Sequence, residues 1–315
     1  MSHTSQPTRR DLGIVELAGP GGDLVARFAA GAGMVGCSLR HRGEELLGVG
    51  RGLRGYLEDG AVFGIPLLYP WANRLGGWSY EVAGRTVALD RSSPLLHGEE
   101  HALPIHGALA ASSAWQLTGR GSDADGTWLV SELDFAAHPE LLAVFPFPHR
   151  LELAIRVGRA AVGIATTVVA GGGSPVPLSF GFHPYLAPPG AERERWQVAL
   201  PERDELLLDE RRLPTGAARH RPAAHLVLGE RTFDDLFAVP ASPARFSVSD
   251  GTRRITVELR SGYPYAQIFA PPDQPVICFE PMTAPIDALR SHDGLRLVAP
   301  GAAARAVFTL AVDDL

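Results

Sequence analysis

Leu151-Glu152-Leu153-Ala154-Ile155-Arg156-Val157 sets Leu151, Leu153, Ile155 and Val157 in alternation with Glu152, Ala154 and Arg156. Side chains on an extended backbone point alternately to opposite faces, so this stretch reads as a half-buried antiparallel strand. The pattern recurs at Ile255, Val257 and Leu259, set among Arg254, Thr256 and Glu258. It recurs again within Thr127–Phe135, where Leu129, Leu133 and Phe135 share a face. Further strands are expected at Asp23–Ala29, Met34–Arg40, Val162–Val169, Ala266–Ala270, Val276–Phe279 and Arg305–Val312. Short helical turns are expected at Glu202–Leu213 and near Asp287–Arg290.

Punctuation between these segments supports the same reading. The chain has 35 glycines and 26 prolines, and its longest stretch free of both is Ala302–Leu315. Proline breaks helices and glycine weakens them, so long helices have almost nowhere to form, whereas strands of five to eight residues fit. Gly171-Gly172-Gly173-Ser174-Pro175 lies between two strand-like segments and reads as a loop rather than a linker. The expected architecture is all-β: a large antiparallel β-sandwich with few short helices, formed as one domain over residues 11–315. Residues 1–10 read as a disordered N-terminus.

Composition narrows the function classes. At 315 residues and 45% hydrophobic the chain can bury a large core. A net charge of −6 argues against a general nucleic-acid surface. All 29 basic residues are arginine. With no lysine, Schiff-base, pyridoxal-phosphate and Walker-type P-loop chemistries are excluded. Cys37 and Cys278 form no CxxC pair, which removes zinc-ribbon and thioredoxin readings and suits a reducing cytoplasm. The polar start is not a secretory signal, and no apolar run approaches the length of a membrane span. A soluble, cytoplasmic protein that is a monomer or homodimer is expected, with no membrane partner.

Two fragments carry the chemistry: Gly181-Phe182-His183-Pro184-Tyr185 and Cys278-Phe279-Glu280-Pro281. Each sets one proton-transfer side chain among apolar or aromatic residues and a proline. Glu280 ends an apolar run, so its carboxylate is expected to be partly buried, where it needs a partner or a raised pKa. An imidazole and a carboxylate in one pocket can move a proton onto one substrate oxygen and off another. Beside them stand Tyr69-Pro70-Trp71-Ala72-Asn73-Arg74, His106-Gly107 and Phe233-Asp234-Asp235-Leu236. Singly, these fragments also suit turns, caps and surface pairs.

In order and spacing, the Asn73-Arg74, His106-Gly107, His183-Pro184-Tyr185, Phe233-Asp234 and Glu280-Pro281 pieces resemble the aldose 1-epimerase (galactose mutarotase) family. The stretch Glu280-Pro281-Met282-Thr283-Ala284-Pro285 looks like a bacterial subgroup, some of whose members are associated with sulfosugar breakdown. Two positions depart from the family pattern. Ala108 stands where a second glycine is common, and Asp235 doubles the aspartate after Phe233; Asp234 matches the pattern. The resemblance implies a galactose-mutarotase-like supersandwich that interconverts sugar anomers by ring opening and reclosure. It implies Glu280 as general base, His183 as general acid and His106 either assisting at the ring oxygen or holding a hydroxyl. Arg74, Asp234 and Asn73 would hold sugar hydroxyls. The partner implied is a small-molecule sugar, with no cofactor and no metal.

Tyr69, Trp71, Phe182, Tyr185 and Phe279 either cover the apolar faces of a pyranose or pack the core. His97, His101 and His106 raise a metal site, but their segment is broken by glycine and proline and no HExxH appears. A non-catalytic sugar-binding sandwich is the first alternative, and one with no need of both His183 and Glu280. A hexose-6-phosphate 1-epimerase is the second; it would need a basic rim, for which Arg51, Arg54 and Arg85 are available.

Overall fold

Leu151, Leu153, Ile155 and Val157 all point inward from the strand His149–Val157, which is hydrogen-bonded on both sides, to Gly126–Asp134 and to Ala161–Ala170. This computed structural model describes residues 12–48, 50–60 and 62–315. The expectation for residues 1–10 lies outside them.

The alternating strands form a nine-stranded sheet. It runs from Gln116–Asp123 through the three strands above to Ala303–Asp314, then Arg253–Ser261, Ala244–Ser249, Gln197–Leu200 and Ala224–Val227. An eight-stranded sheet faces it, with Pro214–Arg221 at its edge followed by Arg203–Leu208, Phe233–Ala238, Tyr265–Ala270 and Ile277–Met282. The short strands Gly181–Phe182, Leu67–Leu68 and Tyr185–Leu186 complete that sheet. All strand ladders in both sheets are antiparallel. The two sheets meet through rings: Phe182 packs on Phe308 at 4.9 Å and Phe279 on Phe246 at 5.6 Å between centroids. Ile14–Ala18, Leu24–Ala29, Val35–His41 and Glu44–Glu45 form a separate four-stranded sheet.

Helix is scarce. The described α-helices are Gly52–Asp59, Pro139–Val144 and Ala288–Ser291, and the last falls on the turn expected near Asp287–Arg290. No helix among the described residues is long and apolar enough to cross a membrane. The expectation of a helical turn over Glu202–Leu213 is overturned. Arg203–Leu208 is a strand, paired with Pro214–Arg221 on one side and Phe233–Ala238 on the other. Its Glu and Leu residues favour helix intrinsically, but two flanking strands satisfy its backbone and override that weak preference.

One buried polar chain ties the site-bearing segment to the core. Tyr69 Oη donates to His149 Nε2 at 2.6 Å, and His149 Nδ1 bonds the Phe147 carbonyl at 2.5 Å. A carbonyl only accepts, so the proton is on Nδ1 and Nε2 is the acceptor. Burial pushes the His149 imidazole down to about 4. The unfolded chain therefore takes up a proton, near pH 6.5, that the folded chain refuses until near pH 4. Stability linked to His149 is full above the unfolded value and drains as pH falls through that window, by about 3 kcal/mol. Urea unfolding of wild type and His149→Gln at pH 7, 5.5 and 4.5 tests this. The wild-type advantage is expected to shrink as pH falls; parallel stability curves would contradict it.

Candidate active site

Strand register brings the two chemistry-bearing fragments together. Gly181 pairs with Met282, and Tyr185 pairs with Cys278. Counting inward from both pairs, His183 falls opposite Glu280. Pro184 has no N–H to give, so the ladder breaks there. The backbone N–H of His183 turns instead to the Pro66 carbonyl at 3.2 Å, and that of Tyr185 to Gly64 at 2.8 Å. His183 Nε2 lies 3.1 Å from Glu280 Oε1. The two residues are 5% and 1% exposed, so the contact is almost wholly shielded from water. Tyr185 stacks on the His183 ring at 4.4 Å.

The same row continues across the sheet. Glu280 pairs with Gln267, and Gln267 pairs with Leu236. Directly paired residues share a face, and so do residues two apart on one strand. Asp234 therefore lies on the Glu280 face and Asp235 on the other. Gln267 Nε2 donates to Asp234 Oδ1 at 2.7 Å. The Asp234 carboxylate also lies 3.6 Å from Arg212 Nε.

Arg74 and His106 enter on two linked turns. Asn73 has φ +56° and His106 has φ +64°. The Asn73 carbonyl accepts from the His106 N–H at 2.8 Å, and its side-chain Oδ1 accepts from the Arg74 N–H at 3.0 Å. The Asn73 side-chain oxygen is thus engaged by its own turn. Gly107 has φ +71°, and an added Cβ would meet the Tyr69 carbonyl oxygen at 2.1 Å, so only glycine fits. Ala108 is buried with ordinary backbone angles, and its N–H donates to that carbonyl at 2.7 Å. The family departure at this position leaves the turn intact. The His106 and His183 rings meet edge to face at 5.6 Å.

Electrostatics favour a shared proton. Burial, then the nearby Asp234, holds the Glu280 carboxyl well above its ordinary range, while Arg74 opposes this. Burial pushes the His183 imidazole down. Burial, then His183 and Arg74, does the same to His106. Each group alone resists charge, so the His183–Glu280 contact is cheapest with one proton between them. Such a pair is an acid and a base at once.

Around this contact, buried polar atoms lack partners among the described residues: Glu280 Oε2, His183 Nδ1, His106 Nδ1, Gln267 Oε1, and Arg74 Nε and Nη1. Arg74 Nε is 3.7 Å from Glu99 Oε2, close enough to pair electrostatically but too far to hydrogen bond. Buried polar groups are normally bonded, so this concentration leaves hydrogen-bonding capacity that polar groups from outside the chain can meet.

Six residues singled out in the sequence, Asn73, Arg74, His106, His183, Asp234 and Glu280, thus fall in one neighbourhood. Gln267, Arg212 and Glu99 were missed. Gln267 had a signal, as a lone amide inside the apolar strand expected at Ala266–Ala270. Of the aromatic residues, Tyr69, Trp71, Phe182 and Phe279 belong to the main core, and Tyr185 alone stacks on a site residue. Arg54 bonds Glu58, and Arg85 lies over the Phe147 ring. The guanidinium beside Asp234 is that of Arg212 instead. Among the described residues, metal-ligand spacing occurs at Glu99, Glu100 and His101, without His97 or His106.

The sequence matches the aldose 1-epimerase family over residues 14–311. No curated protein matches it. Solved structures share the fold. A galactose mutarotase-like protein from Clostridium acetobutylicum has a TM-score of 0.82 at 20% identity, covering 98% of this chain and 100% of its own. A protein from Synechocystis sp. PCC 6803 has a TM-score of 0.79 at 22% identity, with 100% of both chains covered. A galactose 1-epimerase from Lactobacillus acidophilus NCFM has a TM-score of 0.73 at 13% identity, covering 93% and 92%.

Gly107→Ala is expected to destabilise the protein by more than about 1 kcal/mol and to loosen the His106 turn. Amide hydrogen exchange at Ala108 and Leu109, which both donate to the Tyr69 carbonyl, is the readout. Unchanged protection at both amides would mean that the turn does not depend on this close approach.

Proposed function

The chain belongs to the aldose 1-epimerase family, and from that premise we propose that it is a mutarotase, interconverting the α and β anomers of a hexose. The observation that carries this reading is the shielded 3.1 Å contact between His183 Nε2 and Glu280 Oε1, ringed by unpaired polar atoms. A sugar-binding sandwich without chemistry has no use for an imidazole and a carboxylate sharing one proton, so catalysis is favoured over binding alone.

Glu280 takes the proton of the anomeric hydroxyl. His183 gives a proton to the ring oxygen. The C1–O5 bond breaks as the C1–O1 carbonyl forms, giving the open-chain aldehyde. Rotation about C1–C2 presents the other carbonyl face, and reclosure with both transfers reversed yields the other anomer. Protons alone balance the cycle. Arg74 lowers the cost of the Glu280 carboxylate once hydroxyl groups spread the pair. His106 assists at the ring oxygen, Arg74 and Asp234 hold hydroxyls, and Asn73 shapes the turn that presents Arg74. General acid or base assistance contributes about 10²–10⁴ in rate for each group, enough for a ring opening that already proceeds slowly in water.

Polarimetry on a freshly dissolved pure anomer tests the roles. Glu280→Gln is expected to lower turnover by about 10²–10⁴ with sugar binding largely intact, and His183→Asn to cut turnover strongly as well. Near-normal turnover in Glu280→Gln would remove it as the base. Asp234→Ala is expected mainly to weaken binding, and Asp235→Ala to leave it nearly unchanged. An equal effect from the two would contradict the face assignment.

A further inference from the structure

A surface cavity of about 400 Å³, lined by charged and aromatic side chains, opens where the edges of the two large sheets meet, on the face of Phe233–Ala238 opposite Asp234. Phe233, Asp235 and Phe237 line it by alternation, with Arg203 and Glu205 from the neighbouring strand. Arg221 comes from the sheet edge, and Arg231 and Thr232 from the turn before Phe233. Its volume is in the range of small-molecule sites.

Arg203 is the built element. It is 7% exposed, and its guanidinium lies 4.9 Å over the Phe237 ring. Nη1 donates to the carbonyls of Pro201 at 2.9 Å and Pro222 at 3.3 Å. Its Nε is buried and has no partner among the described residues. Leaving a buried charged donor unsatisfied is costly, so an anion in the cavity beside this guanidinium would be favoured. The other guanidinia are pre-placed. Arg221 Nε donates to Glu205 at 2.6 Å, which neutralises that carboxylate. Arg231 Nη1 donates to the Val227 carbonyl at 3.1 Å, and its own carbonyl is gripped by Arg193 Nη2 at 2.8 Å. Three guanidinia thus face two carboxylates, Glu205 and Asp235, and the cavity carries net positive charge. Burial, with Glu205 and Asp234 nearby, holds the Asp235 carboxyl above its usual range, which suits it to hydroxyl contacts.

We propose that this cavity binds a polyhydroxylated organic anion, a sugar phosphate or sugar acid, with its anionic group on Arg203, Arg221 and Arg231 and its hydroxyls on Asp235 and Thr232. Arginine forks match phosphate and carboxylate oxygens, and the acidic and hydroxyl side chains read the polyol. The site does not depend on anomerisation. Because Asp234 and Asp235 are adjacent on one strand, an occupant here sits back to back with the proposed sugar-binding aspartate.

Isothermal titration of the full chain with glucose 6-phosphate, gluconate and inorganic phosphate tests the proposal. At least one of the two organic anions is expected to bind more tightly than inorganic phosphate. Arg231→Ala and Arg221→Ala are each expected to weaken it about tenfold or more. Arg221 on the sheet edge and Arg231 in the turn are chosen because replacing buried Arg203 can unfold the sheet edge. Arg74→Gln is expected to leave this binding unchanged. No binding of either organic anion, equal binding of inorganic phosphate, insensitivity to both the Arg221 and Arg231 substitutions, or loss of binding in Arg74→Gln would each overturn it.

Discussion

The register between Gly181–Leu186 and Ile277–Met282 is the constraint on which the site depends. Gly181 against Met282 and Tyr185 against Cys278 leave no freedom in between, so His183 must face Glu280. A slip of one residue would turn every side chain on that strand to the other face. Phe279 would then lie in the site and Glu280 in the core, against Phe246. The core packing of Phe279 and Phe182 therefore fixes the register that makes the acid–base contact. Stability and chemistry are two faces of the same strands.

That division explains how so many unpaired polar atoms are tolerated. Burying Glu280, His183 and Arg74 costs free energy that the site does not recover by itself. The apolar face of each strand contributes the compensating burial, through rings such as Phe182, Phe246, Phe279 and Phe308. Tyr69 works on both sides. Its hydroxyl bonds His149 in the core, while its carbonyl anchors the turn after His106. The arrangement is pre-organised by packing, so little need be ordered when a ligand enters.

Much of the fold was legible because period-two alternation is a local signal. Each expected strand is present, within a residue or two at most ends. Arg203–Leu208 was misread because it alternates poorly and its identity comes from two distant partners. The proton-transfer residues of the candidate site stand out in the sequence through family-like motifs, whereas Arg212 and Glu99 do not. Gln267 shows in the sequence only as a lone amide within an apolar strand, and cross-strand pairing sets its place beside Glu280; Arg212 gains its place from a hairpin turn beside Asp234. The aromatic question was answerable in principle. Phe279 adjoins Glu280 and Phe182 adjoins His183, so alternation alone sends those rings away from the site. The same rule separates Asp234 from Asp235.

Anomer exchange measured by saturation-transfer NMR on wild-type protein, with EDTA present, addresses the central claim most directly. Glucose, galactose and sulfoquinovose form the panel, which also separates neutral from anionic substrates. The account predicts protein-dependent acceleration of exchange between the anomeric signals of at least one sugar. Detectable sugar binding with no acceleration would contradict it and leave a sugar-binding sandwich in its place.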